Sequence, residues 1–326
     1  MPRLLIAPDA FKGTLSAREV AGAIARGVRG AGGVAEECPV ADGGEGTIDV
    51  LLATLGGERR LARCHDPLER EIDACWVWIE RSRTALLEMA SASGLALVDP
   101  SERDAERATS VGTGELLVAA RDAGAREAIL AIGGTATSDG GRGAVAAIER
   151  SGGPGGMRIV LACDVHIPFE DAAVVFGPQK GASPQAVGRL TTALVELAAD
   201  LPRDPRGLAM TGAGGGLAGT LWARYGAELR EGASFVLDAL GFAERLRGAD
   251  AVVVGEGCLD GQTRQGKIAG EIARRAGAAA KPVHAIVGSV AGDAGRDWPE
   301  LASVRVAGTA AELEAAGAEL LDRIAR

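Results

Sequence analysis

Arg3-Leu4-Leu5-Ile6-Ala7-Pro8-Asp9-Ala10-Phe11-Lys12-Gly13-Thr14-Leu15-Ser16-Ala17-Arg18-Glu19-Val20 is the stretch whose reading decides the fold class. Residues 3–7 read as a first strand, ending in an acidic turn with a glycine. Ser16-Ala17-Arg18-Glu19 is a capping box, in which serine and glutamate satisfy each other's backbone donors. Val20, Ile24 and Val28 then recur at helical spacing until the glycines at 30, 32 and 33 stop the helix. A strand, a turn and a capped helix form the first half of a βαβ unit.

The same alternation continues along the chain. Further strands are expected at 128–132, 158–162, 251–254, 283–287 and 303–306, and most of them run into a glycine-rich or acidic turn. In open parallel sheets, ligands gather at such carboxyl ends. Residues 74–90 read as a hairpin, with 76–79 and 85–89 flanking the polar turn Arg81-Ser82-Arg83. Ser183-Pro184 opens a long helix with the stripe Val187, Leu190, Leu194 and Leu197, and Thr309-Ala310-Ala311-Glu312 caps a closing one. Residues 151–156, four glycines around Pro154, are the most linker-like segment, and there is no internal repeat.

The chain has 326 residues, enough for two α/β domains or one large one with a filled core. Its 48 glycines are about twice the usual ~7% share. They show no G-X-Y period and no accompanying proline excess, so neither collagen nor low complexity fits. The formal net charge of −9, without a basic stripe or interleaved aromatics, excludes nucleic acid as a partner and speaks against anionic membranes. An acidic protein still binds ATP where a few cations and backbone N–H groups are focused in one cleft. The five cysteines are scattered, none in C-x-x-C spacing, and the three histidines lie far apart, so reduced thiols are expected rather than a zinc site. No apolar run approaches signal or membrane-spanning length, and a cytoplasmic location follows as the expectation.

Six blocks exceed what turn-making requires. They are Ala7-Pro8-Asp9-Ala10-Phe11-Lys12-Gly13-Thr14, Ala41-Asp42-Gly43-Gly44-Glu45-Gly46-Thr47, Gly133-Gly134-Thr135-Ala136-Thr137-Ser138-Asp139-Gly140-Gly141 and Cys163-Asp164-Val165. Phe176-Gly177-Pro178-Gln179-Lys180-Gly181 follows, then Gly255-Glu256-Gly257-Cys258-Leu259-Asp260-Gly261-Gln262-Thr263, running on to Gly266-Lys267. They pair acids and lysines with small residues that leave backbone N–H groups uncovered, and such nests take phosphate. Only four of the 35 basic residues are lysines, and three of them (Lys12, Lys180 and Lys267) fall inside these blocks. A compact, flexible ammonium differs from a planar guanidinium fork, so the choice points to a ligand site. Asp42 and Glu45 could share a hydrated Mg²⁺, although an acid in a glycine-rich turn can equally serve as a cap.

Two motifs fall short. Residues 261–267 match P-loop spacing up to Lys267, but Ile268 stands where Ser or Thr should meet Mg²⁺. Residues 214–219 fit G-x-G-x-x-G with only a weak strand before them, at 207–210, so close helix packing is the expected use. His166 follows the Cys163 block and could reach the site; His65 and His284 read as structural.

Together and in order, the blocks resemble the glycerate kinase type-1 family. Its pattern runs A-P-D-S-F-K-G-S-L-S-A, A-D-G-G-E-G-T, G-G-S-A-T-N-D-G-G, A-C-D-V-x-N-P-L, V-F-G-P-Q-K-G-A and G-E-G-R-I-D-G-Q-T. The second and fifth are reproduced without change at 41–47 and 175–182. The resemblance implies a Rossmann-like parallel-sheet domain, here 1–62 with 245–326, and a second α/β domain inserted at 63–244. It also implies ATP, Mg²⁺ and D-glycerate, with a phosphoglycerate product, the 2-phosphate rather than the 3-phosphate. A kinase for another small hydroxy acid and a non-catalytic ligand-binding relative are the alternatives, and either a monomer or a homodimer is compatible.

On this reading Lys12, Asp164 and Asp260 are the expected catalytic residues, with Asp164 or Asp260 orienting the acceptor hydroxyl as general base. Gly133, Gly134, Thr135, Thr137, Asp139 and Lys180 would receive ATP phosphates, and Asp9, Glu256 and Lys267 would complete substrate and phosphate binding. Lys12 and Lys267 would neutralise transferring or carboxylate charge, while Asp42 and Glu45 would hold Mg²⁺ directly or through water. The chain departs from the pattern at Ala10, Ser138, Ile167 and Cys258, contains no asparagine, and is shorter between 141 and 158. Losing an arginine and an asparagine near a carboxylate-bearing substrate bears on acceptor preference.

Overall fold

The structure is a computed structural model and describes residues 1–11, 13–260, 267–292 and 298–324. Its strands in chain order are β1 (Arg3–Pro8), β2 (Val34–Glu37), β3 (Glu58–His65), β4 (Glu71–Ile79), β5 (Thr84–Glu88) and β6 (Glu127–Ala131). They continue with β7 (Arg158–Cys163), β8 (Glu228–Glu231), β9 (Ala251–Gly255), β10 (Val283–Val287) and β11 (Leu301–Val306). The first helix, Ala17–Gly30, starts at the expected capping box: Glu19 N–H donates to Ser16 Oγ at 3.3 Å, and Ser16 N–H to the Glu19 carboxylate at 2.8 Å.

The chain forms two compact units. One comprises Met1–Asp42, Asp49–Thr54 and Ala233–Arg326; the other comprises Gly43–Ile48 and Leu55–Gly232, and so is inserted into the first. The boundaries read at 62/63 and 244/245 would cut β3 and the helix Phe242–Arg247. The change-over instead comes at Leu55 and Ala233, ahead of both.

In the first unit five parallel strands run in the order β11-β10-β9-β1-β2. Leu4, Leu5 and Ile6 of β1 and residues 251–253 of β9 are fully buried, as a parallel sheet covered on both faces demands. The chain steps from β1 to β2 on one side and later to β9 on the other, so strand order reverses between β1 and β9. The expected stripe Val20, Ile24 and Val28 is fully buried. The helices Ala17–Gly30 and Ala310–Ile324 pack through paired glycines: a Cβ on Gly27 would lie 1.8 Å from the Glu314 carbonyl oxygen, and one on Gly317 2.4 Å from that of Ile24.

The inserted unit has a six-stranded sheet, β3-β4-β5-β6-β7-β8, antiparallel across β3/β4 and β4/β5 and parallel thereafter. The hairpin expected at 74–90 is β4–β5, with Val77 opposite Leu86. Trp76 and Trp78 meet edge-to-face at 6.3 Å in its core cluster. Residues 151–156 form no link between units; they are the turn between the helix Arg142–Arg150 and β7. Before the 214–219 glycines the residues form turns rather than a strand. Gly214, Gly215 and Gly216 all have positive φ, and a Cβ on Gly215 would lie 2.1 Å from the Thr137 carbonyl oxygen, so these glycines serve close packing. All five cysteines are free, and no described helix is long and apolar enough to cross a membrane.

Candidate active site

Asp9, Glu256, Gly288 and Gly308 follow β1, β9, β10 and β11, and Asp42 ends the segment after β2. These strand ends enclose a cavity of about 450 Å³, whose lining also includes Phe11, Thr14, Cys258, Asp260, Lys267 and Ser289. It lies at the carboxyl ends of parallel strands beside the reversal of strand order, the usual crevice for ligands in such sheets. The turns are tied together: Asp9 N–H donates to the Gly255 carbonyl at 2.8 Å, and Gly288 N–H to that of Glu256 at 3.0 Å. Only glycine fits at 288, where a Cβ would sit 2.6 Å from the Gly257 carbonyl oxygen.

Lys267 stands just before the helix Ile268–Ala278, and its Nζ lies 3.4 Å from Asp260 Oδ1 and 3.7 Å from Glu256 Oε2. The described lining thus sets four carboxylates, of Asp9, Asp42, Glu256 and Asp260, against one ammonium. Such a cavity takes an anionic ligand only together with further cations. Among the described residues no group of three or more His, Cys, Asp or Glu is gathered as a metal cage. A Mg²⁺ carried on phosphates fits this donor set, since it takes one or two carboxylates and keeps its waters.

The inserted unit holds the second group. The turn after β6 begins at Ile132, whose N–H still donates to the Ala162 carbonyl at 2.9 Å. No described residue accepts from the backbone N–H groups of Gly133, Gly134 or Thr135, and Gly134 has φ +61°. Successive free N–H groups around a left-handed glycine form an anion nest. The loop at 43–48 packs against it. A Cβ on Gly133 would lie 2.6 Å from Gly44 Cα, and Ile48 N–H donates to Glu88 Oε1 at 2.9 Å at the end of β5. Glu45 is exposed, with a carboxylate oxygen 3.8 Å from the position of a Cβ on Gly134. The hydroxyls of Thr137 and Ser138 are buried with no hydrogen-bond partner among the described residues.

Two expected phosphate ligands have local structural partners. Asp139 accepts from Ser110 N–H (2.9 Å), Ser110 Oγ (2.8 Å), Gly141 N–H (2.9 Å) and Gly143 N–H (3.0 Å), which caps the helix Arg142–Arg150. Lys180 is 3% exposed, and its ammonium donates to the Thr137 carbonyl at 2.5 Å and to Thr135 Oγ1 at 3.3 Å. Burial pushes its pKa down to about 8, against the opposing field of Asp139.

Asp164 follows β7 and is half-buried. Beside it, burial first and the Asp164 charge second push the Cys163 thiol up to about 12, which disqualifies it as a nucleophile. Lys12 and residues 261–266 lie outside the described residues, so the P-loop-like spacing is placed only at Lys267. His166 Nε2 stands 3.6 Å from Glu231 Oε1, while His65 pairs with Glu115 at 2.9 Å and His284 with Ser303 at 2.8 Å. Sequence reasoning missed Ser289, which lines the cavity, and Glu88, which anchors the 43–48 loop. Both follow or end buried strands, a position that marks them in retrospect.

The glycerate kinase family model matches residues 4–151 and 153–321. The chain is 37% identical to the glycerate 2-kinase of Escherichia coli (strain K12), over 90% of its own length and 87% of that protein. It is also 37% identical to the glycerate kinase of Bacillus subtilis (strain 168), over 89% and 86%. A solved structure of a glycerate kinase 2 from Salmonella typhimurium LT2 superposes with a TM-score of 0.83 at 34% identity, covering 99% of this chain and 98% of that one.

Proposed function

Because the chain belongs to the glycerate kinase family, we propose that it transfers the γ-phosphoryl group of ATP to a hydroxyl of D-glycerate, with 2-phosphoglycerate as the product. The observation that carries this reading is the strand-end cavity, where Asp9, Asp42, Glu256 and Asp260 meet Lys267. Phosphoryl transfer asks a protein for placement, cationic neutralisation and a carboxylate on the acceptor hydroxyl, and for little covalent chemistry. The relative named a glycerate 2-kinase supports the choice of hydroxyl.

In the proposed reaction the glycerate hydroxyl oxygen attacks the γ-phosphorus, and its proton passes to the carboxylate of Asp260 or Asp164. The bond from γ-phosphorus to the bridging oxygen breaks, and ADP leaves with that electron pair. Lys267 and Lys12 balance the charge of the moving phosphoryl group or of the glycerate carboxylate. The N–H nest at 133–135 receives nucleotide phosphate. Mg²⁺ arriving with the nucleotide would be held by Asp42 and Glu45, directly or through water, and would neutralise phosphate charge.

Incubating the protein with ATP, Mg²⁺ and D-glycerate and reading the product by phosphorus NMR tests this. A 2-phosphoglycerate resonance that disappears with EDTA is expected, whereas a 3-phosphoglycerate resonance would refute the regiochemistry. Absence of any phosphoglycerate would refute the acceptor. One feature favours a second reading: Cys258, in the cavity wall, replaces an arginine of the family pattern, which removes a fork suited to a substrate carboxylate. A panel of small hydroxy acids in the same assay separates the two, since the second reading requires a kcat/KM for another acid above that for D-glycerate.

A further inference from the structure

The block Phe176-Gly177-Pro178-Gln179-Lys180-Gly181 is no phosphate nest. Lys180 N–H donates to the Gly177 carbonyl at 3.0 Å, Gly181 N–H to Pro178 at 3.1 Å and Ala182 N–H to Gly177 at 3.0 Å, so the local N–H groups close the turn itself. The glycines permit close approach: a Cβ on Gly177 would meet the Ala173 carbonyl oxygen at 2.4 Å, and one on Gly181, at φ +91°, the Arg103 carbonyl oxygen at 2.5 Å. The geometry turns one side chain, that of Lys180, into the interior of the inserted unit.

We propose that Lys180 is a positioning residue: its ammonium clamps the Thr137 carbonyl and the Thr135 hydroxyl from behind, and so holds the N–H groups of 133–135 ready for nucleotide phosphate. The inference rests on the reading that this turn receives the nucleotide. A buried ammonium is expensive, and an apolar side chain of similar volume would pack there at no greater cost, so its presence calls for a task. Its two acceptors both belong to the nest turn. Asp139, the nearby acid, has its hydrogen bonds with Ser110, Gly141 and Gly143 and acts on Lys180 only through its field. Arg103 also packs against this segment, its carbonyl oxygen and Cβ facing Gly181, and its buried Nε has no hydrogen-bond partner among the described residues. Pressed by Gly215 on the side of the Thr137 carbonyl, the turn has one polar clamp and one steric one.

The clamp holds while Lys180 is charged, and bound phosphate favours the charged form. The affinity for ATP should therefore fall as pH rises through about 8. The test compares wild type, Lys180→Met, Thr135→Val and the double variant in steady-state assays from pH 6.5 to 9.5, with melting curves alongside. Lys180→Met should raise KM for ATP about 10- to 100-fold, the effect of a lost charged hydrogen bond to a buried carbonyl, with kcat and KM for glycerate changed little. Thr135→Val should raise KM for ATP by a smaller factor and add nothing in the double variant, and the alkaline rise in KM should vanish in Lys180→Met. An unchanged KM for ATP in Lys180→Met overturns the proposal. So does a kcat loss beyond ~10²-fold at constant KM, the mark of direct contact with the transferring phosphoryl group. If Lys180→Met does not fold, Thr135→Val decides: an unchanged KM for ATP overturns the clamp. A wild-type protein that does not saturate with ATP defeats the nucleotide reading itself, whatever the variants do.

Discussion

Gly133→Ala is the sharpest perturbation of the nest, because only one new atom is added and its neighbour is known. Gly133 does not have the positive φ that alanine resists, so the backbone accepts the change and the unfolded chain loses entropy in its favour. The new Cβ would stand 2.6 Å from Gly44 Cα, while carbon atoms pack at about 3.5–4.0 Å. The 43–48 loop or the turn must therefore move by roughly 1 Å. Overpacking of this kind costs about 1–3 kcal/mol. For a chain of 326 residues that lowers Tm by roughly 1–2 °C per kcal/mol. Displacing a reacting or metal-holding group by about 1 Å can cost ~10²-fold in rate, and Glu45, a proposed Mg²⁺ ligand, rides on the loop that moves. The assay is kcat and KM for ATP and D-glycerate, with a thermal melt. Gly188→Ala, in the helix Pro184–Asp200 with nothing near its Cβ position, is the matched control and should be neutral or slightly stabilising. If Gly133→Ala keeps kcat, both KM values and Tm like the control, the close approach of nest and loop has no functional weight.

Lys267→Met leaves Asp260 and Glu256 facing each other without their shared cation, and kcat/KM should fall about 10²- to 10³-fold, as on losing one electrostatic donor; a loss under tenfold would remove Lys267 from the site. Asp164→Ala should lower kcat at least ~10²-fold if this acid is the base, and turnover near wild type would assign that role to Asp260. Asp139→Ala removes four hydrogen bonds at a helix start and should destabilise the fold by roughly 2–4 kcal/mol in denaturant melts, with an unchanged midpoint counting against the cap. Glu271 is the pH-sensitive brace: burial raises its pKa, but hydrogen bonds from Arg274 and Arg275 outweigh this and bring it down to about 2. Because the folded pKa lies below the unfolded one, this stabilisation is present above about pH 4.5 and is lost as pH falls toward 2. It amounts to no more than about 3 kcal/mol. Glu271→Gln should flatten that part of the stability-versus-pH curve, and an unaltered acid limb would rule the brace out.

The fold was legible wherever apolar runs carried it. β1, β6, β7, β9 and β10 are buried on both faces and read as strands from composition alone. β3 was invisible because Glu58-Arg59-Arg60-Leu61-Ala62-Arg63-Cys64-His65 alternates charges along a sheet edge, where such charges guard against further pairing. β2 and β8, of four residues each, are too short for periodicity to speak. The site was legible as blocks and illegible as roles. Glycine signals two opposite things, an uncovered N–H group and a close packing contact, and composition does not distinguish them. The structure separates them: Gly133 and Gly134 leave donors open, whereas Gly177, Gly181 and Gly215 bring chains together. Asp139 shows the same limit, since a carboxylate in a glycine-rich turn reads alike whether it meets a ligand or caps a helix.

The lysines of this chain sit in more specific surroundings than its arginines. Arginine in this chain works mostly at the surface, in pairs such as Arg26–Glu314 and Arg189–Glu106, with side chains 57% and 63% exposed, where an ion pair contributes at most about 1 kcal/mol. Every described lysine instead turns to a polar partner in a confined place. Lys180 reaches two acceptors of the nest turn, Lys267 stands between two carboxylates in the cavity, and Lys281 donates to the Ala249 carbonyl at 2.6 Å. A guanidinium needs a broad planar space and stays charged at any working pH, whereas an ammonium fits behind a single turn and can shed its proton there. At Lys180, then, a compact charge that fits behind a single turn is what the position requires, a demand that a planar fork would not meet.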